Sequence, residues 1–119
     1  MSKSEWTDFP TTNPEVHGQY LPTDSAARKK VPLCTGVLDY FPLALAAVAE
    51  LSYQGNQKHN PGEPLHWARD KSADHADCLL RHLVDRGKMD GQSRHSTEVA
   101  WRSLAILQLE LEEAAIKGE

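Results

Sequence analysis

Apolar residues are scattered over the first thirty positions and become periodic only near Leu38. Residues 1–31 hold Trp6, Phe9, Val16, Tyr20 and Leu21 as isolated anchors, punctuated by Pro10, Pro14 and Pro22, with no 3.6-residue repeat. This predicts an extended or partly disordered arm, with residues 1–12 a disordered tail and the later anchors suited to a strap on the body or on a neighbouring subunit.

From residue 32 to 119 the pattern is helical. A first helix is expected from Asp39 or Tyr40, with Pro42 at an early position, where its missing N–H is harmless. It continues through PLALAAVAELSYQG, with Leu38, Leu45, Val48, Ala49 and Ser52 on one face and Gly55 as its stop. Residues 56–71, with Pro61, Gly62 and Pro64, read as a loop. A second helix is expected from an N-cap at Ser72 to Gly87, burying Ala76, Leu79, Leu80 and Leu83. A polar turn at Asp90-Gly91 leads to a third helix from Ser96 to Ala115, with Ala100, Trp101, Leu104, Leu107 and Leu111 as its core face. Ile106 and Leu109 widen that apolar surface to two sides, which predicts a homo-oligomer. No strand stands out. The expected class is all-α, a compact bundle of three to four helices behind an N-terminal arm.

Length and composition refine this picture. The 119 residues suit one domain, and the 39% hydrophobic and 25% charged content is ordinary for a globular protein. The longest apolar run, FPLALAAVA, is too short to span a membrane, and the first residues lack the apolar stretch of a signal peptide. A cytoplasmic protein without membrane contact is expected. Cys34 and Cys78, in no CxxC pattern, read as free thiols. A net charge of −4 speaks against duplex nucleic acid as partner but leaves room for a single nucleotide.

Candidate chemistry concentrates between His59 and His95, which hold five of the six histidines. Three polar edges emerge at helical spacing: His75/Cys78/His82 and Asp74/Asp77/Arg81 on the second helix, and His95/Glu98/Arg102 on the third. Carboxylates able to hold Mg²⁺ are Glu50, Asp74, Asp77 and Glu98. Asp74 equally serves a helix N-terminus, and Asp77 equally pairs with Arg81. Lys58, His59, Arg69, Arg81, His82, Arg94 and His95 are donors for phosphate; Asn60 can read a base edge and Trp67 can stack on one, or close the loop as a core anchor. Zinc is disfavoured on the second helix, since His75 and His82 lie about 10.5 Å apart along it. Cys78, beside leucines, suits an inert thiol better than a nucleophile.

The ordered series Pro42–Leu45, Gly55/Lys58/His59, Trp67, Arg81-His82-Leu83, Gly87, Asp90 and His95 resembles small phage and prophage proteins of the dATP/dGTP diphosphohydrolase N-terminal domain family, over roughly residues 28–112. The resemblance implies an all-helical protein of an infected or lysogenic bacterial host that converts a purine dNTP and water to dNMP and pyrophosphate. It implies Mg²⁺ on carboxylates, phosphate held by Lys58, Arg81 and His82, and Asp90 and His95 orienting water or ligand. All-α nucleotide pyrophosphohydrolases carry paired carboxylates on two helices; here the first helix supplies Glu50 alone. The expected set is therefore Asp77, His82, Asp90 and His95 for catalysis, Lys58, His59, Asn60, Trp67, Arg69 and Arg81 for the ligand, and Glu50, Asp77 and Glu98 for metal. Two rivals stand beside it: a non-catalytic protein that sequesters a nucleotide or nucleotide signal, and a structural oligomer with a histidine-rich interface.

Overall fold

The computed structural model describes residues 20–119. Trp6, Phe9, Val16 and the 1–12 tail lie outside the described residues. The chain is mostly helical, as its periodicity requires. A single turn, α1 (Ser25–Arg28), is capped by the Asp24 carboxylate, which accepts from the Ala27 N–H at 3.0 Å. A widened helical turn at Cys34–Leu38 follows. The long α2 (Pro42–His59) opens with Pro42 at its first position. It does not stop at Gly55 but runs one turn further, to His59, and is capped by Asn60, whose N–H donates to the Asn56 carbonyl. Asn56 explains the extension: it is buried, donating from Nδ2 to the Glu63 carbonyl at 3.0 Å and accepting from Asn60 at 3.2 Å, so the helix end and the next loop are tied together.

The second expected helix is shorter than its sequence suggests. α3 spans His75–Val84, and Asp74, not Ser72, occupies the capping position. Ser72 instead donates its hydroxyl to Asp74 at 3.0 Å. The turn at Asp90-Gly91 is a small antiparallel hairpin, β1 (Met89–Asp90) with β2 (Ser93–Arg94), where no strand was expected. Gly91, at φ +67°, gives the left-handed backbone that so tight a connection needs. The hairpin delivers the chain directly into α4 (His95–Lys117), which ends on Gly118 at φ +76°.

The largest departure concerns what is inside. Ala105, at 4% exposure, is the one buried hydrophobic among the described residues; the others buried are Asn56, His75, Thr97 and Glu112. α3 turns its His75 and His82 edge inward, while Leu80, expected in the core, is 57% exposed, and Leu83 and Val84 also face outward. Likewise α4 packs through Thr97, Trp101, Ala105 and Glu112, leaving Leu104, Leu107 and Leu111 exposed. Leu38 and Ala49 are exposed, whereas Leu45, Val48 and Ser52 are half-buried as expected. Polar side chains on α3 and α4 prefer each other, and a helix can direct only one face inward; the leucines take the other face.

Candidate metal centre

The two inward polar edges of α3 and α4 meet along their length. At one end, Arg102 donates from Nη1 to Ser72 Oγ and to His75 Nδ1, both at 2.9 Å. A guanidinium has no acceptor, so His75 must accept through Nδ1 and carry its proton on Nε2. That Nε2 is buried without a partner. Burial first, and the Arg102 charge second, hold His75 below the usual histidine range. Trp67 and Trp101 pack edge-to-face at 5.6 Å between centroids, and both rings also contact His75. Trp101 Nε1 donates to Ser52 Oγ at 3.0 Å, which fastens α4 to α2.

At the other end, His82 from α3 meets His95 and Glu98 from α4. The two Nδ1 atoms are 2.9 Å apart, and His82 Nδ1 is 3.1 Å from Glu98 Oε2. Asp90 reaches in from the hairpin and shares a hydrogen bond with Glu98. The four residues each offer a ligand atom, and all of these atoms lie within 4.8 Å of one another. Ligand atoms around a tetrahedral ion with bonds near 2.05 Å sit about 3.3 Å apart, so one ion can bridge all four after small side-chain adjustments.

The electrostatics of this cluster suit a cation. Burial raises the Glu98 carboxyl to about 7, assisted by the hydrogen bond and negative charge of Asp90. Asp90 is lowered, first by the hydrogen bond with Glu98. His82 is lowered by burial and then by His95. Two carboxylates that share one proton stand beside two imidazoles joined by one Nδ1–H···Nδ1 hydrogen bond, an arrangement with acceptors to spare for a cation. Glu98 Oε2 is buried, with His82 Nδ1 at 3.1 Å but without hydrogen-bond geometry. The donor set fits a divalent ion, and its two nitrogens suit a first-row transition metal better than the all-oxygen preference of Mg²⁺. The spacing that separates His75 from His82 does not apply to His82 and His95, which stand on different helices.

Other expected site residues fall elsewhere. Lys58, in the last turn of α2, is near enough for its charge to favour ionised Asp90 and Glu98. His59 is exposed beside it. Asn60 is engaged with Asn56. Trp67 is half-buried against Trp101, and Arg69 lies over its ring at 4.4 Å. Arg69 also grips Glu112 with two contacts of 2.7 and 2.8 Å. Arg81 turns to Asp74 at 3.4 Å and to Cys78 Sγ at 3.1 Å rather than to Asp77. Asp77 is exposed and outside the four-residue cluster. Glu50 accepts from Gln54 at 3.3 Å and lines a separate small cleft of about 210 Å³ with Arg94 and Thr97. Expected metal ligands thus divide: Glu98 is in the cluster, Glu50 and Asp77 are not. Arg102, placed by sequence on a polar edge but given no role, ties α4 to Ser72 and to His75 of α3. No family model, curated protein or solved structure matches this chain.

Proposed function

We propose that His82, Asp90, His95 and Glu98 hold one divalent metal ion, and that the chain uses it to handle a nucleotide. The convergence of these four side chains from α3, the hairpin and α4 is the observation that carries the reading. A bound ion polarises a phosphoryl oxygen and lowers the pKa of a bound water, the two contributions that phosphate hydrolysis needs. Lys58, beside the cluster, supplies a cation for a neighbouring phosphate. The resemblance to dATP/dGTP diphosphohydrolases supplies the substrate class, a purine dNTP cleaved by water to dNMP and pyrophosphate.

Purified protein is loaded separately with Mg²⁺, Mn²⁺ and Zn²⁺ and incubated with the four dNTPs. Release of dGMP or dAMP with pyrophosphate, lost in Glu98→Gln, supports the reading. Intact dNTPs in every arm overturn its hydrolytic part.

A second reading is binding without turnover. It is favoured by the separation of Glu50 and Asp77 from the cluster, which leaves one group of candidate ligands among the described residues. Calorimetry that detects a nucleotide, recovered unaltered, distinguishes this reading; absence of both binding and hydrolysis overturns both.

A further inference from the structure

The geometry points to a binding site for a small zwitterion of the amino-acid class, in the cleft between α2, the hairpin and the start of α4. The lining follows from the fold. Ala47 and Glu50 stand three residues apart on α2 and so share one face. The hairpin pairs Met89 with Arg94 and brings both into the lining, together with Ser93. Thr97, in the first turn of α4, also lines the cleft and is buried, at 9% exposure.

The charges select the ligand. Glu50 brings a carboxylate and Arg94 a guanidinium to the same cleft, yet the two do not pair with each other. Gln54 Nε2, at 3.3 Å, occupies one acceptor position of Glu50 and leaves the others open. The Arg94 guanidinium has no ion pair or hydrogen bond among the described residues. A simple anion in the cleft is attracted by Arg94 and repelled by Glu50, and for a simple cation the reverse holds. A molecule with an ammonium at one end and a carboxylate at the other gains both attractions. The guanidinium fork matches a carboxylate with two parallel bonds, and an ammonium brings three donors to the oxygens of Glu50 and the nearby hydroxyls. Arg94 also holds the N-cap position of α4, where the helix dipole favours the ligand's carboxylate.

Size narrows the class. The cleft holds about 210 Å³. That is the space of roughly seven waters, and it lies below the ~300 Å³ at which pockets for drug-sized molecules begin. It fits a small amino acid rather than a whole nucleotide. Ala47 and Met89 offer apolar surface to a short aliphatic side chain, and Ser93 and Thr97 offer hydroxyls to the charged ends. Met89, Arg94 and Thr97 adjoin in sequence the cluster residues Asp90, His95 and Glu98. None of the four cluster residues lines the cleft, so an amino acid can bind whether or not an ion occupies the metal centre.

The test is a titration of the full nitrogen-15-labelled chain, followed by NMR, with glycine, L-alanine and L-valine. Each is paired with the carboxylate and the amine left when one charged group is removed, propionate and ethylamine for alanine. At least one of the three amino acids should bind with a Kd below about 1 mM and shift the amide signals of Glu50, Arg94 and Thr97. Its two half-molecules should bind at least about 10-fold more weakly. Glu50→Gln and Arg94→Gln change exposed side chains and should each weaken binding at least about 10-fold, with signals remote from the cleft unchanged. The half-molecules test the charge requirement in the unaltered chain, whatever either variant does to folding. No amino acid reaching that affinity, half-molecules that bind as tightly, shifts confined to residues outside the cleft, or folded variants that bind unchanged overturns the proposal.

Discussion

His82 and His95 present Nδ1 to Nδ1 at 2.9 Å, a hydrogen bond in which one ring donates its proton and the other accepts it. Neither ring can satisfy the other when both are protonated on that atom. Replacing either imidazole removes one ligand, and His95→Ala should lower divalent metal affinity by at least about 10- to 100-fold. Asp77→Asn and Glu50→Gln should leave it unchanged, because both residues stand outside the cluster. Competition titration with a chromogenic chelator measures all three.

The proton held by Glu98 gives a pH signature. Its carboxyl titrates at about 7, up from 4.5. A raised carboxyl keeps its proton more tightly in the folded chain, so its contribution to stability is full below about 4.5 and lost as pH rises to about 7. His75 and His82, lowered from 6.5, work in the opposite direction, adding stability as pH rises toward 6.5. Glu98→Gln isolates the carboxyl: relative to this variant, metal-free wild type should lose roughly 2 kcal/mol across that window. Urea titrations at successive pH values read the difference. A metal ion, which binds the deprotonated carboxylate, should abolish the loss.

Arg69 is committed to Glu112, with side chains 18% and 6% exposed. Breaking a buried pair strands the remaining charge, so Arg69→Ala should destabilise the fold by about 3–5 kcal/mol. Thermal unfolding detects this as a large fall in Tm. Were Arg69 instead a phosphate ligand, the variant would keep its Tm and lose nucleotide affinity alone.

Gly91 tests how the hairpin aims Asp90. A Cβ there meets no atom within 4 Å, so Gly91→Ala introduces no clash. It does place a side chain at φ +67°, which costs about 1 kcal/mol in that backbone conformation. If the turn relaxes, Asp90 shifts away from Glu98, and metal affinity should fall about 10-fold with little change in helix content by circular dichroism.

The helices were legible from their periodicity, and so were the edges His75/Cys78/His82 and His95/Glu98/Arg102. What periodicity could not tell is that these edges are each other's partners. Two amphipathic helices can meet through either face, and the usual preference for burying leucines pointed to Leu80, Leu104, Leu107 and Leu111. Their exposure reflects the ion-pairing and hydrogen-bonding demand of His75, Arg102, His82 and Glu98, which one-dimensional spacing does not weigh. Two-residue strands are too short for an alternating pattern, so the sequence expresses the hairpin only as a turn. Helix α2 outran Gly55 because Asn56 secures the following turn, a contact with Glu63 that lies seven residues away. Asp77 looked like a ligand because Asp-x-x-Asp places two carboxylates together; Ser72 and Arg81 claim Asp74 instead.

All four residues of the cluster come from one short stretch, His82 to Glu98, a helix end, a tight turn and a helix start. Closing so small a loop costs little chain entropy, and contacts of low sequence separation form early in folding. An ion captured there would fix the angle between two helices before the distant contacts of Trp101 with Ser52 and Arg69 with Glu112 exist. With the proposed ion bound, the cluster would nucleate folding, and metal added during refolding should speed the reaction rather than only stabilise its end point.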